Sequence, residues 1–118
     1  MKICITARGK DLEALVDPVF GRARFFLFVD SETRETEAVE NAPGAHGAGV
    51  QAAQLLADRG AELLITGNVG PNAQRGLAAS GIKVYLSREG TAAGALDDLD
   101  AGRLAETLAP TRPQHGGS

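Results

Sequence analysis

The chain of 118 residues has one cysteine, Cys4, one tyrosine, no tryptophan and two histidines, His46 and His115. A single cysteine excludes an internal disulfide. With no Cys-x-x-Cys pair, neither a zinc site of the usual kind nor a four-cysteine iron–sulfur site can be built within one chain. A basic excess is also missing. The net charge of −3 argues against non-specific binding to nucleic acid or to an anionic membrane. No apolar run approaches the roughly 20 residues of a membrane span, and nothing at the start reads as a signal peptide. A reducing cytoplasm is the expected compartment. Gly-x-Ser-x-Gly, His-Glu-x-x-His and a convincing pair of carboxylates at the loop edge are absent, so hydrolytic chemistry is not expected.

What is there suits an α/β fold. Hydrophobic residues make up 43% of the chain, enough for a core of Ala, Val, Leu and Ile with one aromatic cluster, Phe20, Phe25, Phe26 and Phe28. Lys2–Thr6 alternates as a strand. Arg24–Asp30 and Thr36–Glu40 read as a hairpin around the polar turn Ser31–Arg34. Val50–Arg59 has a helical apolar face, and Gly60 can end it. Leu63–Thr66 is a short apolar strand of the buried parallel kind. Pro71 suits the first turn of a second helix that Gly81 ends. Lys83–Leu86 is the last expected strand. Thr91 can cap a third helix carrying Leu96 and Leu99, with Gly102 ending it. The expectation is a single three-layer domain over residues 1–109, with helices on both faces of a mixed, mostly parallel five-stranded sheet. The Pro/Gly-rich tail, residues 110–118, is expected to be disordered.

That strand order places the loops Ala7–Asp11, Val16–Arg22, Asn41–Gly49, Gly67–Gly70 and Ser87–Gly90 at one edge. Ligands of open α/β sheets bind there, outside the carboxyl ends of the strands. Arg8, Lys10, Arg22 and Arg24 gather at the same edge. The loop Asn41-Ala42-Pro43-Gly44-Ala45-His46-Gly47-Ala48-Gly49 leads into a helix, whose N-terminus favours anions. His46 is a metal ligand or proton carrier in one view, and a solvated loop histidine in the other. Gly67-Asn68-Val69-Gly70 presents backbone N–H groups to an anion, or is only a tight strand–helix turn; it lacks the ending of a P-loop. Arg22 pairs with an anionic ligand or is merely solvated, and Phe20 covers one end of the core. Cys4, alternating with Ile3 and Ile5, reads as a small buried hydrophobe. Asp97, Asp98 and Asp100 read as a solvated helix face.

In order along the chain, Met1-Lys2-Ile3, Val19-Phe20-Gly21-Arg22-Ala23, Phe25–Asp30 and Val39-Glu40-Asn41 form a recurrent set. It continues with Gly44–Gln51, Ile65–Ala73 and Gly81–Tyr85. Together these resemble the dinitrogenase iron–molybdenum cofactor biosynthesis family, of the NifX/NifB C-terminal-domain type. The resemblance implies a ribonuclease H-like fold. It also implies a non-catalytic carrier or chaperone for an anionic metal–sulfur cluster containing iron and/or molybdenum, with copper as a further candidate. A protein that donates or accepts the cluster is the implied partner. On this view His46 is the metal ligand. Arg8, Phe20, Gly21, Arg22, Asn41, Gly44, Gly47, Gly49, Gly67, Asn68 and Gly70 form the cofactor-binding set. Two other functions compete with it: a regulatory module binding a small anion or nucleotide, and an interaction domain without a ligand.

Overall fold

The computed structural model describes residues 1–41, 48–87 and 90–107, with residues 48–50 described by backbone alone. Its strands are β1 (Lys2–Ala7), β2 (Phe25–Asp30), β3 (Thr36–Glu40), β4 (Leu63–Thr66), β5 (Lys83–Leu86) and β6 (Ala105–Thr107). The helices are α1 (Ala48–Asp58), α2 (Pro71–Ala79) and α3 (Ala92–Asp100). One sheet runs in the order β3-β2-β1-β4-β5-β6. β1, β4 and β5 are parallel, while β2 is antiparallel to both β1 and β3, and β6 is antiparallel to β5. The sheet therefore has six strands rather than the expected five. Ala105-Glu106-Thr107 shows no apolar alternation of its own. It becomes a strand because Leu86, Tyr85 and Val84 offer it an open edge, a tertiary pairing that local pattern does not reveal.

Alternation splits the core in two. Cys4, Phe26, Phe28, Leu64 and Val84 face α1 and α2, through Ala52, Ala53, Leu56, Ala73 and Leu77. Ile3, Ile5, Leu27, Val29, Leu63 and Ile65 face α3, through Ala92, Ala95 and Leu96. Helices thus cover both faces, as expected. A fully buried side chain such as Leu56 or Ile65 stabilises the fold by about 1.5–3 kcal/mol. Among the described residues, no helix is long and apolar enough to cross a membrane.

Local signals ended the elements as the sequence predicts. Gly60 follows α1 with φ +75°, where an L side chain would be strained. Thr91 caps α3, its hydroxyl accepting from the Gly94 N–H at 3.1 Å. In the β2–β3 turn the Asp30 carboxylate accepts from the N–H groups of Thr33 and Glu32, and these hold its pKa below the usual carboxylate value. Arg34 in that turn has φ +61°. Its guanidinium reaches Asp97 at 2.7 Å and Asp100 at 3.4 Å on α3, so the solvated acidic face of that helix has a partner. The α1 helix starts at Ala48 rather than Val50, which moves Gly49 from the loop into the first helical turn. The expected tail and domain boundary fall among residues 108–118, outside the described residues.

Candidate functional site

The sheet directions carry the described parts of these loops to one edge, as the topology predicts. β1, β3, β4 and β5 all end at one edge, where β2 begins. Segment 8–24 folds over that edge and is fastened at several points. Ala7 bridges to Val16, Leu15 to Thr91 and Val19 to Asn68. The Phe20 N–H donates to the Asn68 carbonyl at 3.1 Å, and the Asn68 side-chain amide donates to the Pro18 carbonyl at 3.3 Å. Phe20-Gly21-Arg22 forms a 3₁₀ turn. The Phe20 ring is buried and lies 5.7 Å from the Phe26 ring. It anchors the turn in the core, so any contribution of Phe20 to a ligand is through the backbone.

Asn41 closes the turn from the other side. Its side-chain amide donates to the carbonyls of Ala23 at 2.9 Å and Gly21 at 3.2 Å, and its N–H donates to Arg24 O at 2.9 Å. Arg22, Ala23, Arg24, Glu40 and Asn41 line a hollow of about 140 Å³ at this corner. Gly67 has a packing reason of its own. A Cβ there would lie 2.7 Å from the Pro18 oxygen and 2.9 Å from Pro18 Cα, so only glycine lets the loop lie this close to the end of β4. Gly70 precedes α2 without any side-chain cap, which leaves N–H groups of its first turn facing the edge.

Ion pairing divides the arginines: outside the rim, only Arg75, which bonds the Asn72 side chain, lacks an ion pair among the described residues. Arg34, Arg59 and Arg103 are ion-paired, with Asp97 and Asp100, with Glu37, and with Asp98 respectively. Among the described residues, Arg8, Lys10, Arg22 and Arg24 have no ion pair. Lys10 stands 5.9 Å from the centre of the Phe25 ring. Two carboxylates of the same segment are engaged by backbone: Asp11 accepts the Glu13 N–H, and Asp17 accepts the Arg24 N–H, both at 3.0 Å. A larger hollow, about 340 Å³, opens at the opposite edge. Its lining of Asp30, Glu35 and Glu37 against the single cation Lys2 makes it a poor place for an anion. The rim is the better candidate despite its smaller volume.

His46, Gly44 and Gly47 lie outside the described residues, bracketed by Asn41 and the start of α1. Among the described residues, no group of three or more His, Cys, Asp or Glu side chains could hold a metal ion. Cys4 is fully buried on the α1/α2 face, opposite Ile3 and Ile5, and burial pushes its thiol pKa well up. It should therefore label slowly with thiol reagents in native protein and rapidly after unfolding. Above about pH 8.5, the ordinary thiol value, the unfolded chain loses this proton while the folded chain keeps it. The stability contributed is complete below that pH and is lost above it, at up to about 1.4 kcal/mol per pH unit. Cys4→Ala should flatten the alkaline limb of a denaturant-midpoint series; an unchanged limb would contradict the assignment.

Sequence reasoning missed Thr6, Thr66 and the Asp17 carboxylate. A signal was present: Ile3-Cys4-Ile5-Thr6 and Leu63-Leu64-Ile65-Thr66 are adjacent parallel strands in matching register, which sets the two threonines side by side.

The family model described as dinitrogenase iron-molybdenum cofactor matches residues 1–102. The chain belongs to this family. The family is involved in the biosynthesis of the iron–molybdenum cofactor. The apo form of the orange protein from Desulfovibrio gigas superposes with a TM-score of 0.88 at 43% identity, covering 94% of this chain and 96% of that one. A Thermotoga protein provisionally assigned to NifB gives a TM-score of 0.84 at 41% identity, covering 96% of this chain and 98% of its own. An uncharacterized protein of Methanocaldococcus jannaschii is 37% identical over 75 residues, 59% of this chain; the match spans 64% of that protein's length.

Proposed function

We propose that the rim at the carboxyl edge of the sheet binds and carries an anionic metal–sulfur cluster as cargo, without catalysing a reaction on it. One observation carries the reading: Arg8, Arg22 and Arg24, which have no ion pair among the described residues, stand on the loops of that edge, whereas Arg34, Arg59 and Arg103 are paired elsewhere and Arg75 on α2 bonds the Asn72 side chain. Unpaired guanidiniums and backbone N–H groups stabilise a compact anion. With so few thiols and imidazoles in the chain, coordination cannot saturate several metal atoms. His46 supplies one bond, and charge and hydrogen bonds supply the rest. Family membership makes iron and molybdenum the first candidates, with copper after them. The orange protein's name records a colour and its apo form a removable ligand, as a visible chromophore gives. The ribonuclease H-like class belongs to this proposal, but nuclease chemistry does not follow, because β1 offers Cys4 and Thr6 where two-metal catalysis needs carboxylates. A cytoplasmic site of action and transfer to or from a partner protein belong to the same proposal.

Purification from the native host without oxygen tests it. The expected product absorbs in the visible and contains molybdenum, iron or copper, and His46→Ala retains at most about a tenth of the metal through gel filtration. A colourless product that releases an ultraviolet-absorbing nucleotide would favour the regulatory alternative instead.

A further inference from the structure

We propose that Thr6 and Thr66 are positioning residues for the arginines of the rim; the proposal rests on the anion-binding reading above. Both side chains are fully buried at the carboxyl ends of the neighbouring strands β1 and β4. Their hydroxyls share a hydrogen bond at 2.8 Å. The Thr6 hydroxyl also donates to the Asp17 carbonyl at 2.7 Å, and the Asp17 N–H donates to the Thr6 carbonyl at 2.9 Å. Asp17 is thus held at two points. A hydroxyl has one proton. With that of Thr6 given to Asp17, the proton of the shared bond comes from Thr66. The order is Thr66 to Thr6 to Asp17. The Asp17 carboxylate continues the path by accepting the Arg24 N–H at 3.0 Å. An unbroken run of polar contacts therefore joins the middle of the sheet to the arginine-bearing turn, and Arg22 lies between Arg24 and the anchored Phe20.

Packing does not explain the two hydroxyls. Valine has nearly the same shape, and a buried hydroxyl is unfavourable unless it is hydrogen-bonded. Neither hydroxyl is accessible, so neither touches a ligand. Their effect on binding passes through Asp17 to the spacing of Arg22 and Arg24. They are the rigid support on which a rim of flexible cations depends.

The test compares Thr6→Val, Thr6→Ser and a packing control, Val84→Ala, which removes buried volume on the same sheet face but no hydroxyl or carboxylate of the path. Two readouts are taken. One is hydrogen exchange of the Arg24 amide, normalised to the Leu56 amide in the core. The other is binding of tetrathiomolybdate, a coloured molybdenum–sulfur dianion, at low and high salt. In Thr6→Val the Arg24 amide should exchange about tenfold faster and the probe bind about tenfold more weakly at low salt, the effect of one lost hydrogen bond. The affinity gap should close at high salt. Thr6→Ser should restore both readouts, and Val84→Ala should move neither. Asp17→Ala breaks the last link without touching the core and should reproduce Thr6→Val, so the outcome does not depend on Thr6→Val folding well. Unchanged exchange and binding in Thr6→Val and Asp17→Ala, or equal changes in Val84→Ala, would overturn the proposal. If the parent chain itself fails to bind the probe, the anion reading falls, and amide exchange alone decides the positioning role.

Discussion

Gly67→Ala should destabilise the fold by about 1–3 kcal/mol, the usual cost of forcing extra atoms into a packed site. The added Cβ would meet Pro18 backbone atoms at 2.7 and 2.9 Å, closer than non-bonded carbon and oxygen atoms tolerate. Backbone cannot rotate out of the way as a side-chain tip can. Segment 17–20 would have to lift, straining the bonds that hold it to Thr6 and Asn68. The same movement would carry Arg22 away from its place, so anion binding should weaken together with stability. Gly70→Ala is the matched comparison. A Cβ there meets open space at φ −78°, and loss of a helix-capping glycine should cost less than about 1 kcal/mol. Chemical denaturation of both variants checks the pair. Equal losses would show that close approach to Pro18 is not what requires glycine at position 67.

Neutralising the rim arginines should have the largest effect on binding. A guanidinium about 6 Å from a dianion contributes roughly 1.4 kcal/mol even at the dielectric constant of water, about tenfold in affinity. Arg22→Ala with Arg24→Ala should therefore weaken tetrathiomolybdate binding by about a hundredfold at low ionic strength, if the two contributions add. At 1 M salt the Debye length falls to about 3 Å, and parent and variant should converge as the probe dissociates faster from the parent. Arg59→Ala removes the same formal charge as Arg22→Ala alone, for which a loss of about tenfold is expected, but from a residue paired with Glu37 and placed over the Phe28 ring. Its binding should match the parent. Equal weakening by Arg59→Ala would mean that net charge, rather than the rim, attracts the anion.

Much of this fold was legible in the sequence because its elements announce themselves locally. Pro71, Gly60 and Thr91 mark helix ends by backbone geometry and capping. Phe25–Asp30 and Leu63–Thr66 are apolar enough to be strands whatever surrounds them. From those elements alone, sheet direction brings Arg8, Arg22, Asn41 and Asn68 to one edge. What stayed hidden depends on pairs distant in sequence. β6 exists only through its pairing with β5. Gly67 reads as one more loop glycine until the Pro18 backbone is placed against it. Asn41 looks like the start of a binding loop, yet its amide holds the carbonyls of Gly21 and Ala23. The hydroxyls of Thr6 and Thr66 look like ordinary strand threonines until Asp17 folds back over them. Such contacts carry no periodicity, and composition does not report them.

The location of the bound anion is the central claim, and amide chemical-shift mapping during a tetrathiomolybdate titration tests it most directly. The account predicts saturable shifts at Arg8, Gly21, Arg22, Arg24, Asn68 and Gly70, with Lys2, Asp30 and Thr36 at the opposite hollow unmoved. Shifts centred on Lys2, Asp30 and Thr36, or no saturable shifts at the rim, would contradict it.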